Sequence, residues 1–141
     1  GISADQGGIS PEVGGAISYG ISVLSALGTH DVGQSIIVQN GRVIAIEAAE
    51  GSDEMIARSA RLLDPEGGVG CFVKMAKSAQ DLRLDVPVFG EGTIRSAATA
   101  GLSLLAVEAE TVLLADDLAS IRATCAGHSI TLIGIQREDW L

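Results

Sequence analysis

Residues 35–47 read SIIVQNGRVIAIE, two runs rich in β-branched residues that are joined by Asn40-Gly41. An Asn-Gly pair between β-branched runs is typical of a two-residue hairpin turn, because both residues readily adopt the positive φ that this turn needs. We therefore expect two antiparallel strands, at 35–39 and 42–47. This hairpin is the clearest local signal in the chain, and the rest of the fold is interpreted outward from it.

Helix signals flank the hairpin on both sides. Ser-Pro-Glu at residues 10–12 is a typical helix start and predicts a helix over 11–27. After the hairpin, Ser52 or Asp53 as a cap predicts a second helix, which we expect to extend as far as Leu63.

Strands and helices continue to alternate through the rest of the chain. Further strands are expected at 71–75, 81–86, 103–107, 111–114 and 129–135, and further helices at 93–100 and 116–127. This alternation predicts an α/β fold in which a mixed sheet containing one β-hairpin is packed with helices, in a single compact domain.

Composition excludes several classes of protein. A chain of 141 residues suits one domain, and its net charge of −9 argues against a nucleic-acid partner, since phosphate backbones are bound by a basic surface. No apolar run approaches the roughly 18 residues of a transmembrane helix, so we expect a soluble, cytoplasmic protein. Cys71 and Cys125 lack the spacing of a metal or redox motif, which predicts two buried free thiols.

Three of the nine basic residues of this acidic chain lie in one segment. Residues 74–87 read KMAKSAQDLRLDVP, and they contain both lysines of the chain, Lys74 and Lys77, together with Arg83. We call residues 74–87 the basic segment. Lys and Arg side chains bind phosphate oxygens, so this segment is where we expect the chemistry of the protein to lie.

Two aspartates alternate with the arginine of the basic segment. In an extended strand Asp81, Arg83 and Asp85 project from one face, and apolar residues project from the other. Such a charged row suits a polyphosphate and carries carboxylates for a divalent metal or an attacking water. The alternative, a half-buried strand whose charges only meet solvent, has the same pattern and stays open.

Several stretches recur in the order and spacing of a known family. They are DVGQ at 31–34, VIAIE at 43–47, EGSD at 50–53, the pattern KxxKxxQDxRxDxP of the basic segment, AGL at 100–102 and LIGI at 132–135. Through these stretches the chain resembles the UDP-2,3-diacylglucosamine pyrophosphatases of the LpxI type, which act in lipid A biosynthesis. Ser78 is one departure, because we expect proline there in the family.

The resemblance implies an activity. It implies metal-dependent hydrolysis of the pyrophosphate bond of UDP-2,3-diacylglucosamine to 2,3-diacylglucosamine 1-phosphate and UMP, with Mg²⁺ or a similar divalent ion as cofactor. Asp85 matches the essential aspartate of the family and is therefore the expected catalytic residue. The lipid substrate implies contact with the inner face of the inner membrane.

The resemblance also implies a domain organisation. Residues 10–141 are expected to form a C-terminal catalytic and lipid-phosphate-binding domain, and residues 1–9 the remnant of a linker. An N-terminal nucleotide-binding-like domain of the family is absent from this chain, so that domain is an expected partner, and a homodimer stays open. The alternative is a non-catalytic lipid-phosphate-binding and dimerisation module that needs its partner domain for turnover.

The remaining site residues are hypotheses from side-chain chemistry. Substrate-binding residues are expected to be Lys74, Lys77, Gln80, Arg83 and Gln34. Metal ligands beside Asp85 are expected among Asp81, Glu47, Glu50 and Asp53. Structural alternatives are a helix cap for Asp53, a turn for Glu50 and backbone hydrogen bonding for the two glutamines.

Overall fold

A computed structural model describes residues 9–28, 30, 34–76 and 87–140 of the chain. In chain order the elements are α1 (Pro11–Gly28), β1 (Ser35–Gln39), β2 (Arg42–Ile46), α2 (Ser52–Ser59), β3 (Cys71–Lys74), β4 (Val88–Phe89), α3 (Glu91–Ala100), β5 (Leu104–Glu108), β6 (Leu113–Leu114), α4 (Leu118–Gly127) and β7 (Thr131–Ile135), followed by a short 3-10 helix (Arg137–Asp139).

The main sheet has five strands in the order β2-β1-β3-β5-β7. Strands β3, β5 and β7 are parallel, whereas β1 is antiparallel to both β2 and β3. The predicted α/β fold with a mixed sheet is thus confirmed. The carboxyl ends of the parallel strands and the amino end of β1 meet at one edge of the sheet, which we call the carboxyl edge.

The hairpin forms as expected. Asn40 and Gly41 have φ values of 55° and 71°, which are the left-handed angles that a tight hairpin turn requires. Every residue of β1 is buried, because β1 lies between β2 and β3 with helices on both faces, whereas β2 lies at the end of the sheet and is partly exposed.

Two apolar clusters fill the spaces on the two faces of the sheet. Strand alternation sends Ile36 and Val38 toward α1, and sends Ile37 into the cluster that α2, α3 and α4 share. Helix α1 approaches the sheet closely at Gly20, where a Cβ would lie only 2.9 Å from Cγ2 of Val73. The glycine in mid-helix therefore allows α1 to pack on the sheet.

The bounds of α2 differ from those expected. The helix ends at Ser59 instead of Leu63, and the Ser59 carbonyl then accepts turn hydrogen bonds from the amides of Leu62 and Leu63. Its cap is Gly51, which has φ of 89° and no side chain to bond the first turn. The expectation that Ser52 or Asp53 caps this helix is therefore wrong.

Two neighbouring aspartates cap two different helices. Asp117, not Asp116, opens α4, because its Oδ1 accepts a hydrogen bond of 2.8 Å from the Ser120 amide. Asp116 instead crosses to α3, where its Oδ2 accepts from the Glu91 amide at 2.9 Å. The sequence signal placed the cap one residue too early, because both positions carry a residue suited to the role.

A second, two-stranded sheet joins β4 to β6 in parallel. Strand β4 is unexpected, since two residues are too few to show a periodicity, and the strand expected at 111–114 is limited to Leu113–Leu114. The charged strand expected at 81–86 lies outside the described residues.

The two cysteines are free and buried, as the sequence predicts. Cys71 is wholly enclosed, and this burial raises the pKa of its thiol to about 12. In the part of the chain that the structure describes, no helix combines the length and apolar character needed to cross a lipid bilayer.

Candidate functional site

A cleft of about 380 Å³ opens at the carboxyl edge of the sheet. The residues that line it come from the start of β1, the end of β2, the end of β3 and the amino ends of α2 and α3. They are Gln34, Glu47, Glu50, Gly51, Ser52, Asp53, Glu54, Lys74, Pro87, Val88 and Thr93. This is the part of an α/β sheet where ligands commonly bind.

Lys74 is the cationic side chain among these lining residues. It is the last residue of β3, aligned with Ser35 of β1 on one side and with Val107 of β5 on the other. Only 6% of the residue is exposed, and its Nζ donates to Oγ of Ser52 at 3.0 Å. A lysine is rarely buried to this extent without polar partners, and the Ser52 hydroxyl is one such partner.

Glu47 faces this lysine across a network of hydroxyl groups. Its Oε2 accepts hydrogen bonds from Oγ of Ser35 at 2.7 Å and from Oγ of Ser52 at 3.2 Å. The same oxygen accepts a hydrogen bond from the backbone amide of Gln34 at 3.3 Å. Ser52 therefore lies between the ammonium group of Lys74 and the carboxylate of Glu47, and hydrogen-bonds to both.

The amino ends of two helices open at the cleft. Gly51 and Ser52 at the start of α2 line it, as does Thr93 in the first turn of α3. A helix amino end carries a partial positive charge and attracts anions. Lys74 and these two ends are the positive groups of a lining that also carries four carboxylates, those of Glu47, Glu50, Asp53 and Glu54.

Asp53 and Glu50 have protein partners of their own. Oδ1 of Asp53 accepts from Oγ1 of Thr93 at 3.1 Å, which ties α2 to α3 beside the cleft. Glu50 forms an ion pair of 2.8 Å with Arg58. A hydrogen bond from its own backbone amide and one from Arg58 hold the pKa of Glu50 below its ordinary value.

Glu47, Glu50 and Asp53 are acidic residues that the sequence predicts as metal ligands. Within the described ranges, no three His, Cys, Asp or Glu side chains come together in a group that could hold a metal ion. Glu47, Glu50 and Asp53 therefore do not form a metal centre by themselves. The expected site depends on Asp81 and Asp85, which lie outside the described residues.

The structure brings together five of the expected site residues, and five lie outside the part it describes. Gln34, Glu47, Glu50, Asp53 and Lys74 all line the cleft. Lys77, Gln80, Asp81, Arg83 and Asp85 fall among residues 77–86 and stay predictions. The two ends of the basic segment, Lys74 and Pro87, both line the cleft.

Sequence reasoning missed three hydroxyl side chains of the site. Ser35, Ser52 and Thr93 connect the charged residues, yet serine and threonine are common in loops and helix starts and carry no distinctive spacing. Ser52 does lie in the EGSD stretch at residues 50–53, which indicates the family, but that position alone predicts a helix cap and not a site residue.

Comparison with known proteins gives concordant results. A family model described as the LpxI C-terminal domain matches residues 6–133. The chain is 37% identical over 119 residues to the UDP-2,3-diacylglucosamine pyrophosphatase LpxI of Caulobacter vibrioides, an alignment that covers 81% of this chain and 42% of that protein. The chain thus spans less than half the length of this curated relative. By the extent of these matches, the chain belongs to the LpxI C-terminal domain family.

Proposed function

We propose that this chain is the phosphate-binding and catalytic domain of an enzyme that hydrolyses the pyrophosphate bond of UDP-2,3-diacylglucosamine in lipid A biosynthesis. The products are 2,3-diacylglucosamine 1-phosphate and UMP. The observation that carries the proposal is the buried ammonium group of Lys74, which lies at a cleft flanked by two helix amino ends, in a chain of the LpxI C-terminal domain family.

Lys74 is the positive side chain that would contact a pyrophosphate at the cleft, whose other charged lining residues are Glu47, Glu50, Asp53 and Glu54. Hydrolysis increases negative charge on the oxygens of the leaving phosphate, and preorganised positive groups stabilise that charge more strongly in a partly enclosed site than in water. Lys74 supplies such a charge, and its Nζ is oriented by Ser52. Lys77 and Arg83 follow in the basic segment and would add further phosphate contacts.

Asp85 is the proposed catalytic residue. Its match to the essential aspartate of the family supports this role, and a carboxylate near cations stays ionised at neutral pH, so that it can orient water. A divalent ion such as Mg²⁺, when bound, would neutralise phosphate charge. Since the described acidic side chains do not form a metal centre, such an ion would depend on Asp81 and Asp85.

An exposed apolar pair lies beside the cleft and suits an acyl chain. Val88 lines the cleft and aligns with Leu113 across the small sheet, and the two residues are 48% and 57% exposed. We expect Val88→Ser to weaken binding of the diacylated sugar phosphate but not of glucosamine 1-phosphate, which lacks acyl chains. Equal effects on both ligands would reject this contact.

A second candidate function is a binding and dimerisation module that is inactive without its partner domain. The curated relative is longer than the aligned region, and its unaligned portion is the partner domain to test. In both cases the N-terminal domain of the family is the proposed protein partner, and a lipid substrate would bring the site to the inner face of the inner membrane.

Release of UMP distinguishes the two functions. The chain is incubated with UDP-2,3-diacylglucosamine and Mg²⁺, alone and with the portion of the Caulobacter vibrioides relative that lies outside the alignment. Turnover by the chain alone that stops on chelation of the metal supports the catalytic domain. Turnover only after addition of the second portion supports the module. Asp85→Ala in the active preparation should abolish turnover and preserve substrate binding, and near-normal turnover would refute its assignment.

Binding is tested separately from turnover by calorimetry with 2,3-diacylglucosamine 1-phosphate. Lys74→Ala should weaken binding at least tenfold, which is about 1.4 kcal/mol. Arg122→Ala is the matched control, because Arg122 is an exposed cation of α4 that does not line the cleft. Equal weakening by both variants would indicate only a general electrostatic effect and would reject the assigned site.

A further inference from the structure

A buried carboxylate lies at the carboxyl edge beyond the residues that line the cleft. Glu108 is the last residue of β5 and is only 5% exposed. Its Oε1 accepts a hydrogen bond of 3.0 Å from the backbone amide of Ala76, 32 positions away in sequence. Oγ1 of Thr111 donates to the same oxygen.

Arg137 forms an ion pair with Glu108. Its Nε lies 3.2 Å from Oε2 of Glu108, and its Nη2 lies 3.2 Å from Oε1, so the guanidinium group contacts both carboxylate oxygens. The same Nη2 donates to the carbonyl oxygen of Ala76 at 2.7 Å, across 61 positions of sequence. The amide and the carbonyl of one residue, Ala76, are thus both bound by this ion pair.

Ala76 lies two residues beyond the end of β3. The amide of Met75 bonds the Gln34 carbonyl at 2.9 Å, and the chain then leaves β3. At Ala76, two side chains from distant elements take the place of a neighbouring strand. Ala76 is followed directly in sequence by Lys77, the second lysine of the basic segment.

Strand pairing and core packing fix the chain on the two sides of Arg137. Strand β7 pairs with β5 up to Ile135, and the Ala109 amide bonds the Ile135 carbonyl at 2.8 Å. The short 3-10 helix that contains Arg137 is followed by Trp140, which packs against the apolar cluster on the α1 face of the sheet. The ion pair therefore rests on strand pairing on one side and on core packing on the other.

We infer that Glu108 and Arg137 are positioning residues for the basic segment: by binding both backbone groups of Ala76, they fix the point and direction at which the chain leaves β3. This inference rests on the proposed function of the basic segment in phosphate binding. Neither side chain lines the cleft, and both would act on the segment through Ala76, the residue that precedes Lys77 in sequence.

The first test is a double-mutant cycle measured by calorimetry with 2,3-diacylglucosamine 1-phosphate. Arg137→Ala should weaken binding at least tenfold, and Arg137→Lys should recover part of that loss. If Arg137 acts by placing Lys77, the variant that combines Arg137→Ala with Lys77→Ala should bind no more weakly than Lys77→Ala alone. Full additivity of the two losses would overturn the inference.

A control separates positioning from a loss of general stability. Ile133→Val shortens a buried residue of the same strand, β7, without touching Ala76, and it should lower the unfolding temperature and leave the dissociation constant unchanged. If Ile133→Val weakens binding as much as Arg137→Ala does, the effect is general destabilisation and the inference fails.

The second test needs no ligand. Amide hydrogen exchange at Ala76, whose amide donates to Glu108, should accelerate at least tenfold in Arg137→Ala and in Glu108→Gln, while Phe72 and Leu105 in the sheet keep their rates. Unchanged exchange at Ala76 would overturn the positioning role even if the ligand binds. Faster exchange in these variants, with no binding by the unaltered chain, would support positioning and instead reject the proposed phosphate site.

Discussion

Nζ of Lys74 lies 3.0 Å from Oγ of Ser52, and the same hydroxyl group lies 3.2 Å from Oε2 of Glu47. Ser52 can accept from the ammonium group while it donates to the carboxylate. One small side chain at the start of α2 therefore orients a buried cation and a partly buried anion. We expect both the stability of this edge of the sheet and the affinity of the cleft for phosphate to depend on this hydroxyl.

Replacement of Ser52 by alanine tests this dependence. Ser52→Ala should lower the free energy of unfolding by roughly 1–3 kcal/mol, because hydrogen bonds to charged groups are lost inside the protein. Ser52→Thr keeps the hydroxyl and should retain most of the stability. Ser103→Ala, at an exposed position on the opposite edge, is the control in urea unfolding. A stability of Ser52→Ala equal to that of Ser103→Ala would contradict the role of the hydroxyl.

The hairpin shows what could be predicted from the sequence. Asn40-Gly41 determines a turn because both residues adopt positive φ. The β-branched runs on each side then pair with each other, so the hairpin can be predicted from this stretch alone. The bounds of α1 and α3 were likewise close to those expected, because their start and stop signals lie within the helices or next to them.

The site could be predicted only in part. Its residues lie far apart in sequence and are brought together by the order of the strands in the sheet. Glu47, Lys74 and Ser52 belong to the end of β2, the end of β3 and the start of α2. They become neighbours because β1 lies between β2 and β3, and no local pattern specifies that order. The helix start expected at Asp116 was wrong for a similar reason, since Asp116 bonds the first residue of α3, a helix that precedes it in the chain.

The close approach of α1 to the sheet gives a prediction with a matched control. Gly20→Ala would place a Cβ 2.9 Å from Cγ2 of Val73 and 3.3 Å from Cγ2 of Ile36, so we expect a loss of roughly 1–3 kcal/mol in unfolding free energy from overpacking. Gly15→Ala lies in the same helix, where no other atom comes within 4 Å of the new Cβ.

Gly15→Ala should therefore raise the unfolding free energy by about 0.5–1 kcal/mol, because alanine loses less conformational entropy than glycine in a helix. Chemical unfolding of the two variants side by side checks both signs. A gain in stability for Gly20→Ala would show that the helix can move away from the sheet at little cost.

The loop between α2 and β3 is held by one buried amide. Nε2 of Gln39 donates to the carbonyl oxygens of Asp64 and Gly68, each at 2.9 Å, and its Oε1 accepts from the Asp64 amide at 2.8 Å. Gln39→Leu leaves these backbone groups without that partner, at a cost of about 1–3 kcal/mol for each group that stays buried.

Hydrogen exchange should show which part of the chain is destabilised when the hydrogen bonds of Gln39 are removed. We expect the Asp64 amide to exchange faster in Gln39→Leu, while the strand amides of β5 keep their protection. Gln136→Leu, at an exposed position, should change neither the exchange nor the unfolding free energy. Slow exchange at Asp64 in Gln39→Leu would mean that the loop holds its shape without the glutamine.

Burial of Cys71 links stability to pH with a definite sign. Desolvation raises the pKa of its thiol from the ordinary value of 9.0 to about 12, so the folded protein keeps a proton that the unfolded chain releases. The stability contributed by the buried thiol is fully present below pH 9 and is lost as the pH rises from 9 toward 12.

Comparison with Cys71→Ala isolates this effect from other groups that titrate at high pH. The alanine variant should be less stable at pH 7, because it leaves a small cavity. The difference in unfolding free energy from the unaltered protein should then shrink above pH 9, by at most about 1.4 kcal/mol per pH unit. Urea unfolding at pH 7, 9 and 10.5 measures this difference, and a constant difference across the three would show that the thiol ionises as easily in the folded protein as in the unfolded chain.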